Sequence, residues 1–164
     1  MRSEMPRRRA GKGGKKVFRK YVPLSAYSTA SPRLPDPSDW ILLSRQYGDH
    51  SFTKKDSKVP LKPGCYEIGV SPPEEKPKTW VVYVGKTGKN KRTLRDRFYN
   101  HASGHGSNIK GYVDRYLNRG YWVWARHYAT NSLEEADALE KLLIKANWGH
   151  YLWNTQEVPP DLPV

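Results

Sequence analysis

The order of the repeating patterns after residue 60 constrains the fold of this chain more than any other feature. Residues 65–70 alternate with a period of two, which predicts a β-strand. Residues 79–84 are rich in Trp, Val and Tyr and predict a second strand, and residues 71–78 contain three prolines, which predict the loop of a hairpin. Residues 121–128 predict a third strand.

Helical signals lie between and after these strands. Thr93, followed three residues later by Asp96, predicts the start of one helix, and apolar residues at helical spacing over 109–117 predict another. Ser132 and Glu135 form a capping box that predicts a helix over 133–146. The order β-β-α-α-β-α has too few crossover helices for a parallel sheet. We therefore expect an α+β fold, with a small antiparallel sheet packed by helices.

The net charge of +13 is concentrated in two blocks. Residues 1–20 hold nine basic residues and one acidic residue, and residues 86–119 hold nine basic and two acidic residues, whereas the remainder is slightly acidic. An excess of this kind indicates a polyanionic partner such as nucleic acid.

Other classes of protein are disfavoured by the composition. The longest apolar stretch is five residues (80–84), too short to span a membrane, and no secretory signal follows the basic N-terminus. Cys65, a single cysteine, excludes an internal disulfide and a Cys-rich zinc site. We expect an intracellular protein, cytoplasmic in a prokaryote or phage and nuclear in a eukaryote.

Composition also suggests the limits of the domain. Residues 1–38 are basic, then rich in Pro and Ser, and are expected to be a disordered arm and linker that either binds nucleic acid, serves as a targeting signal or is inert. Residues 39–59 are expected to be an extension packed on the core, with 40–43 as a short helix capped by residue 38 or 39. The domain itself is assigned to 60–158, and 159–164 to a tail.

Several polar residues lie where packing does not require them. Arg97 and His101 share one face near a helix start, and they can hold a phosphate and carry a proton. The alternative is a solvated basic face. Tyr66 and Tyr83 lie on neighbouring strands, and each taken alone is more typical of a core.

Glu140 lies at the edge of the apolar stripe of the last predicted helix. A carboxylate in such a position needs a cationic partner. One reading is a Mg²⁺ ion completed by waters and a substrate phosphate, and the other is a Lys or Arg side chain.

Together these residues resemble the GIY-YIG nucleases. Residues 64–66 (Gly-Cys-Tyr) and 83–85 (Tyr-Val-Gly) are similar to the paired tripeptides of that family, and 94–101 and 139–144 are similar to its two site helices. The resemblance covers about residues 63–155. It departs from the pattern at Cys65 and Val84, both conservative in a strand, and in a long loop between the two motif strands. The positions that carry it are Gly64, Tyr66, Tyr83, Gly85, Arg97, His101, Glu140 and Asn154.

The resemblance implies a three-stranded antiparallel sheet flanked by helices and metal-dependent hydrolysis of DNA phosphodiesters. It implies that Glu140 binds one divalent ion, Mg²⁺ or alternatively Mn²⁺, and that Arg97 stabilises the transition state. Tyr66 would be the general base, directly or through His101, while Tyr83 would orient water or phosphate and Asn154 would tie the site together. A basic groove would hold double-stranded or branched DNA; its residues are Lys86, Lys89, Lys91, Arg92 and Arg95.

Two alternatives stay open. The chain is either such an endonuclease, whose specificity could come from a protein partner, or a non-catalytic nucleic-acid-binding module of the same fold. Charge alone would also suit a basic ribosomal or chromatin-like protein, which leaves the ordered motif unexplained.

Overall fold

The computed structural model describes residues 36–49, 51–55, 58–90, 92–147 and 151–154. The expectations for the N-terminal arm and most of its linker, for the C-terminal tail and for Lys91 therefore lie outside the described residues. The chain is α+β. In order, its elements are β1 (Ile41–Ser44), β2 (Gly64–Ser71), β3 (Val81–Lys86), α1 (Leu94–Ser103), α2 (Lys110–Asn118), β4 (Trp122–Ala129) and α3 (Leu133–Ala146).

The sheet has four strands, in the order β1-β4-β2-β3, and every neighbouring pair is antiparallel. The expected three-stranded sheet is thus one strand short. The additional strand is the segment predicted to be a short helix, and that prediction is wrong. Ile41 and Leu42 pair with Ala125 and Trp124 of β4. A four-residue apolar run fits either structure by pattern, and here the open edge of β4 decides, because it offers backbone partners that so short a helix lacks.

Helices α1 and α3 begin where their caps predict. Thr93 Oγ1 accepts a hydrogen bond from the Asp96 backbone N–H at 3.2 Å, and Ser132 Oγ accepts one from the Glu135 N–H at 3.1 Å. The last helix has the predicted bounds because its signals are local in sequence. α1 ends at Gly104, whose φ of 82° is the left-handed conformation that favours glycine.

Helices cover both faces of the sheet. Tyr66, Ile68 and Val70 pack in one cluster with side chains of α1 and α2, while Cys65 packs in a second cluster with side chains of α3. All eight residues of β2 are consequently buried. Within the described residues, no helix is both long and apolar enough to cross a membrane.

Candidate active site

The two signature glycines are required by close approach. Tyr66 pairs with Gly85 across the β2–β3 ladder, and its ring lies over that glycine. A Cβ at Gly85 would lie 2.5 Å from Tyr66 Oη and 2.9 Å from the Tyr83 ring. A Cβ at Gly64 would lie 2.4 Å from the backbone oxygen of Tyr128 on β4. Any side chain at either position would therefore displace a strand or the Tyr66 phenol.

Tyr66, Arg97 and His101 meet in one hydrogen-bonded cluster. Tyr66 Oη lies 2.7 Å from His101 Nε2, and it accepts hydrogen bonds from Arg97 Nε and Nη2, each at 3.4 Å. Arg97 Nη2 is also 3.3 Å from His101 Nε2. His101 is only 1% exposed, so it does not belong to a solvated basic face.

Burial keeps both rings of this cluster uncharged. Burial raises the pKa of Tyr66, and the neighbouring Tyr83 raises it further, while Arg97 opposes the shift. Burial, assisted by the positive charge of Arg97, holds the pKa of His101 well below its usual value. At neutral pH the site thus holds a protonated phenol beside a neutral imidazole.

The turn between α1 and α2 completes the site, and the sequence patterns did not point to it. Ser107 Oγ lies 2.7 Å from His101 Nδ1, and Asn108 Nδ2 donates to Tyr83 Oη at 3.4 Å. Positive φ angles at Gly104 and Gly106 bend the chain back over α1. In the sequence these residues read as a helix break, because a Gly-rich turn carries no signal of what its polar side chains reach.

Glu140 is 5% exposed on α3, and its carboxylate faces a lysine. Lys86 Nζ lies 3.7 Å from Glu140 Oε1 and also contacts the carboxylate of Asp137, one turn earlier on α3. The reading of Glu140 as paired with a Lys side chain therefore describes this contact. Burial raises the pKa of Tyr83, and Glu140 adds a smaller upward shift to the pKa of both Tyr83 and Tyr66, so its charge acts on the phenol pair.

The donor set suits a hydrated ion better than a closed metal cage. The carboxylates of Asp137 and Glu140 both contact the ammonium group of Lys86, so two carboxylates hold one cation here. The described part of the chain contains no cluster of three or more His, Cys, Asp or Glu side chains that could hold a metal. Mg²⁺ commonly binds through one or two carboxylates, with waters and phosphate oxygens completing its shell. Glu140 and Asp137 fit that mode.

Asn154 supports the motif strand directly. Its Oδ1 accepts a hydrogen bond from the Val84 N–H and its Nδ2 donates to the Val84 carbonyl, both at 2.8 Å. The amide thus pairs with Val84 as a neighbouring strand would. Asn154 holds β3 at the residue between Tyr83 and Gly85.

A buried carboxylate on the other face of β2 anchors the segment that carries Asn154. Glu67, fully buried, accepts hydrogen bonds from Arg126 Nε at 2.9 Å, Tyr128 Oη at 2.9 Å and Tyr151 Oη at 2.6 Å. The alternation of residues 65–70 places Glu67 on the same face of the strand as Cys65, but no sequence pattern indicates its hydrogen-bond partners.

The basic residues assigned to a DNA groove are placed differently from one another. Lys89 and Arg92 are exposed, whereas Arg95 donates from Nε to the Val59 carbonyl at 2.8 Å. Lys86 contacts the α3 carboxylates. Of the four members that the structure describes, Lys86 and Arg95 are thus held by other groups of the chain.

A scan against protein-family models found no match, and searches of curated proteins and of solved structures found no similar protein either.

Proposed function

We propose that this protein is a divalent-metal-dependent DNA endonuclease with a GIY-YIG-like topology in the part of the chain after β1. The observation that carries the proposal is the contact of Tyr66 with both Arg97 and His101 in a buried cluster. A tyrosine that only fills a core needs one hydrogen-bond partner at its ring edge. This phenol instead has a guanidinium and an imidazole, the two groups that hold a phosphate and accept a proton.

Each side chain then has a task in phosphodiester hydrolysis. The Arg97 guanidinium stabilises the charge that develops on the phosphate oxygens. Tyr66 takes the proton of the attacking water after passing its own proton to His101 Nε2, at 2.7 Å. Tyr83, held by Asn108, orients water or phosphate at the edge of the cluster.

Glu140, with Asp137 beside it, would hold the divalent ion, Mg²⁺ or Mn²⁺. When bound, such an ion polarises the scissile phosphate and stabilises the leaving 3′ oxygen. The exposed side chains of Lys89 and Arg92 would contact the DNA backbone, with an affinity that falls as salt rises.

Cleavage assays test the proposal. Purified protein is incubated with supercoiled plasmid, branched DNA and RNA, in Mg²⁺, Mn²⁺ or EDTA. We expect DNA cleavage only with metal, and Glu140→Ala is expected to lower its rate about 100-fold or more, because metal stabilisation is worth several kcal/mol. Glu134→Ala removes the same charge from an exposed position of α3 and is the matched control. Binding of every substrate without metal-dependent cleavage would refute the enzyme.

One contact favours the non-catalytic alternative. Lys86 Nζ already lies 3.7 Å from Glu140, so an internal ammonium provides the cation that a buried carboxylate needs. A binding module would keep this pair permanently. Titration with Mn²⁺, followed by electron paramagnetic resonance of the free ion, separates the two functions. The endonuclease predicts Mn²⁺ binding that Glu140→Ala abolishes and Glu134→Ala retains. The binding module predicts the same undiminished free-ion signal in all three proteins.

A further inference from the structure

The inner edge of His101 faces the turn between α1 and α2. His101 Nδ1 lies 2.7 Å from Ser107 Oγ, while Nε2 on the opposite side of the ring lies 2.7 Å from Tyr66 Oη. His101 is 1% exposed and Ser107 is half-buried. A buried phenol, a buried imidazole and a hydroxyl near the surface therefore stand in one row.

The donors around His101 determine which ring nitrogen carries the proton. Arg97 Nη2, 3.3 Å from Nε2, is a donor and has no acceptor capacity. As an acceptor, Nε2 receives the Arg97 N–H and can also receive the Tyr66 O–H. An N–H at Nε2 would lose the Arg97 hydrogen bond and could donate only to Tyr66 Oη, which already accepts from Arg97. The first arrangement therefore describes the resting site. Nε2 is thus the acceptor, and the ring proton lies on Nδ1, from which it is donated to Ser107 Oγ. The lowered pKa of His101 agrees with a ring that carries one proton.

The donors and acceptors around Tyr66 and Ser107 also determine the direction of their two hydroxyl protons. Because Nε2 is the acceptor and lies 2.7 Å away, the Tyr66 O–H donates to it, while Tyr66 Oη accepts from Arg97. Ser107 Oγ accepts from Nδ1–H and from the Ile109 backbone N–H at 3.3 Å. Both of its lone pairs are then used, and the hydroxyl proton of the half-buried Ser107 is directed outward.

We propose that Ser107 is a positioning residue that holds His101 in the Nδ1–H form and forms the outer end of a proton path from Tyr66 to solvent. This inference rests on the proposed endonuclease function. Along the path, the Tyr66 O–H proton moves to Nε2, the Nδ1 proton moves to Ser107 Oγ, and the Ser107 hydroxyl proton passes to a solvent water. Tyr66 is left as a phenolate and His101 stays neutral. The path lets a buried phenol lose its proton without placing a charge on the imidazole.

Of the groups that surround the imidazole of His101, Ser107 is the one that determines whether Nδ1 carries the proton. Tyr66 and Tyr83 face His101 from the sheet with ring centroids at 5.4 and 6.2 Å, and Arg97 faces it from α1. Among these groups and Ser107, only the Ser107 hydroxyl is placed to accept from Nδ1.

The tautomer of His101 is measured without any cleavage assay. In ¹⁵N-histidine-labelled, metal-free protein, the ring nitrogen shifts report which nitrogen carries the proton, and the spectrum of His101→Gln assigns the signals. We expect the Nδ1–H form in the wild type, a shift of the population toward Nε2–H in Ser107→Ala, and restoration in Ser107→Thr. Ser103→Ala is the matched control, because Ser103 Oγ forms its hydrogen bonds with backbone groups of Asn100 and His105 and not with the imidazole of His101 among the described residues.

Kinetics provide the second readout. Ser107→Ala is expected to lower kcat about tenfold or more, since proton transfer contributes 10²–10⁴-fold in such sites, with KM little changed. Ser107→Thr should recover the rate. An unchanged tautomer or an unchanged kcat in Ser107→Ala overturns the proposal even if the wild type cleaves DNA. A wild type that cleaves nothing refutes the endonuclease, and the tautomer measurement still decides the role of Ser107 in holding the ring.

Discussion

Tyr66 packs in the core with its ring and contacts polar side chains with its hydroxyl group. Its ring packs in the core, with the Phe98 ring at 5.8 Å and 72° and the Tyr83 ring at 6.2 Å. Its hydroxyl group, in contrast, contacts the polar side chains of Arg97 and His101. Packing fixes the position of the ring and therefore also the direction of the phenol oxygen. This fixed direction makes Tyr66 a candidate general base.

Gly85→Ala tests this aim at the residue scale. The new Cβ would lie 2.5 Å from Tyr66 Oη, so the phenol must move. We expect DNA cleavage to fall about 100-fold, since a displacement of about 1 Å has that effect in active sites. We also expect the free energy of unfolding to fall by about 1–3 kcal/mol, as in other overpacked sites.

Gly88→Ala is the control for that substitution. Gly88 is two residues beyond β3, and a Cβ there meets nothing within 4 Å. Plasmid cleavage and urea denaturation of both variants separate loss of positioning from loss of stability. Equal activity of the two variants would show that Tyr66 is not held by Gly85.

At the scale of elements, β3 is stabilised by the Asn154 side chain, which forms the hydrogen bonds that a neighbouring strand would otherwise form. The Asn154 amide pairs with both backbone groups of Val84, and Trp153 N–H donates to the Val82 carbonyl at 2.8 Å. The segment after α3 thereby covers the edge of β3 that lies opposite β2. Edge strands that are left uncovered tend to pair with other chains. Here the residues that cover the edge also hold the Tyr-Val-Gly segment of β3 in place.

Asn154→Ala removes this pairing. Two buried hydrogen bonds are lost, and leaving buried backbone groups unpaired costs about 1–3 kcal/mol of unfolding free energy. The Val84 amide should exchange with solvent faster, because its acceptor is gone. Hydrogen exchange of Val84 and urea denaturation measure the two effects. Asn131→Ala, at an exposed asparagine, is the control, and equal Val84 exchange in both variants would contradict the role of Asn154.

At the scale of the whole molecule, stability and charge are distributed separately. The sheet and the helices on its two faces form the two apolar clusters. Several cations are bound at the surface of this body by internal partners, as with Lys54 and Asp96 at 3.1 Å or Lys110 and Asp114. Part of the positive charge on the described surface is therefore neutralised within the chain.

Acid should destabilise the whole fold through His127, which is partly buried, and His101, which is buried. Burial lowers the pKa of His127 to about 4, and its Nδ1 has no hydrogen-bond partner among the described residues. In the unfolded chain a His binds its proton near pH 6.5. Below that pH the unfolded state binds a proton that the folded state does not, so stability present above pH 6.5 is lost as pH falls toward 4. His101 acts in the same direction.

Urea denaturation from pH 7.5 to pH 4 measures this loss. His127→Gln should show a shallower fall of unfolding free energy with pH than the wild type. Both proteins hold a neutral side chain at pH 7.5, so the difference there gives the cost of the substitution itself. Parallel curves would show that His127 does not contribute to acid sensitivity.

The amino-acid sequence by itself determined the features that depend on near neighbours along the chain. The caps at Thr93 and Ser132 locate two helix starts, and the alternation through Tyr66 locates β2. The candidate residues Tyr66, Tyr83, Arg97, His101 and Glu140 lie in strands or helices that the sequence patterns predict, whereas Asn154 lies after α3 in no regular element.

Only the tertiary structure decided what meets across the fold. It turned the apolar run at Ile41 into an edge strand, brought Ser107 to His101, and joined Lys86 to Glu140. In each case the partner is distant in sequence or lies beyond a turn with no periodic pattern. Local propensity cannot encode such contacts, because they depend on which edges and faces the packed elements leave open.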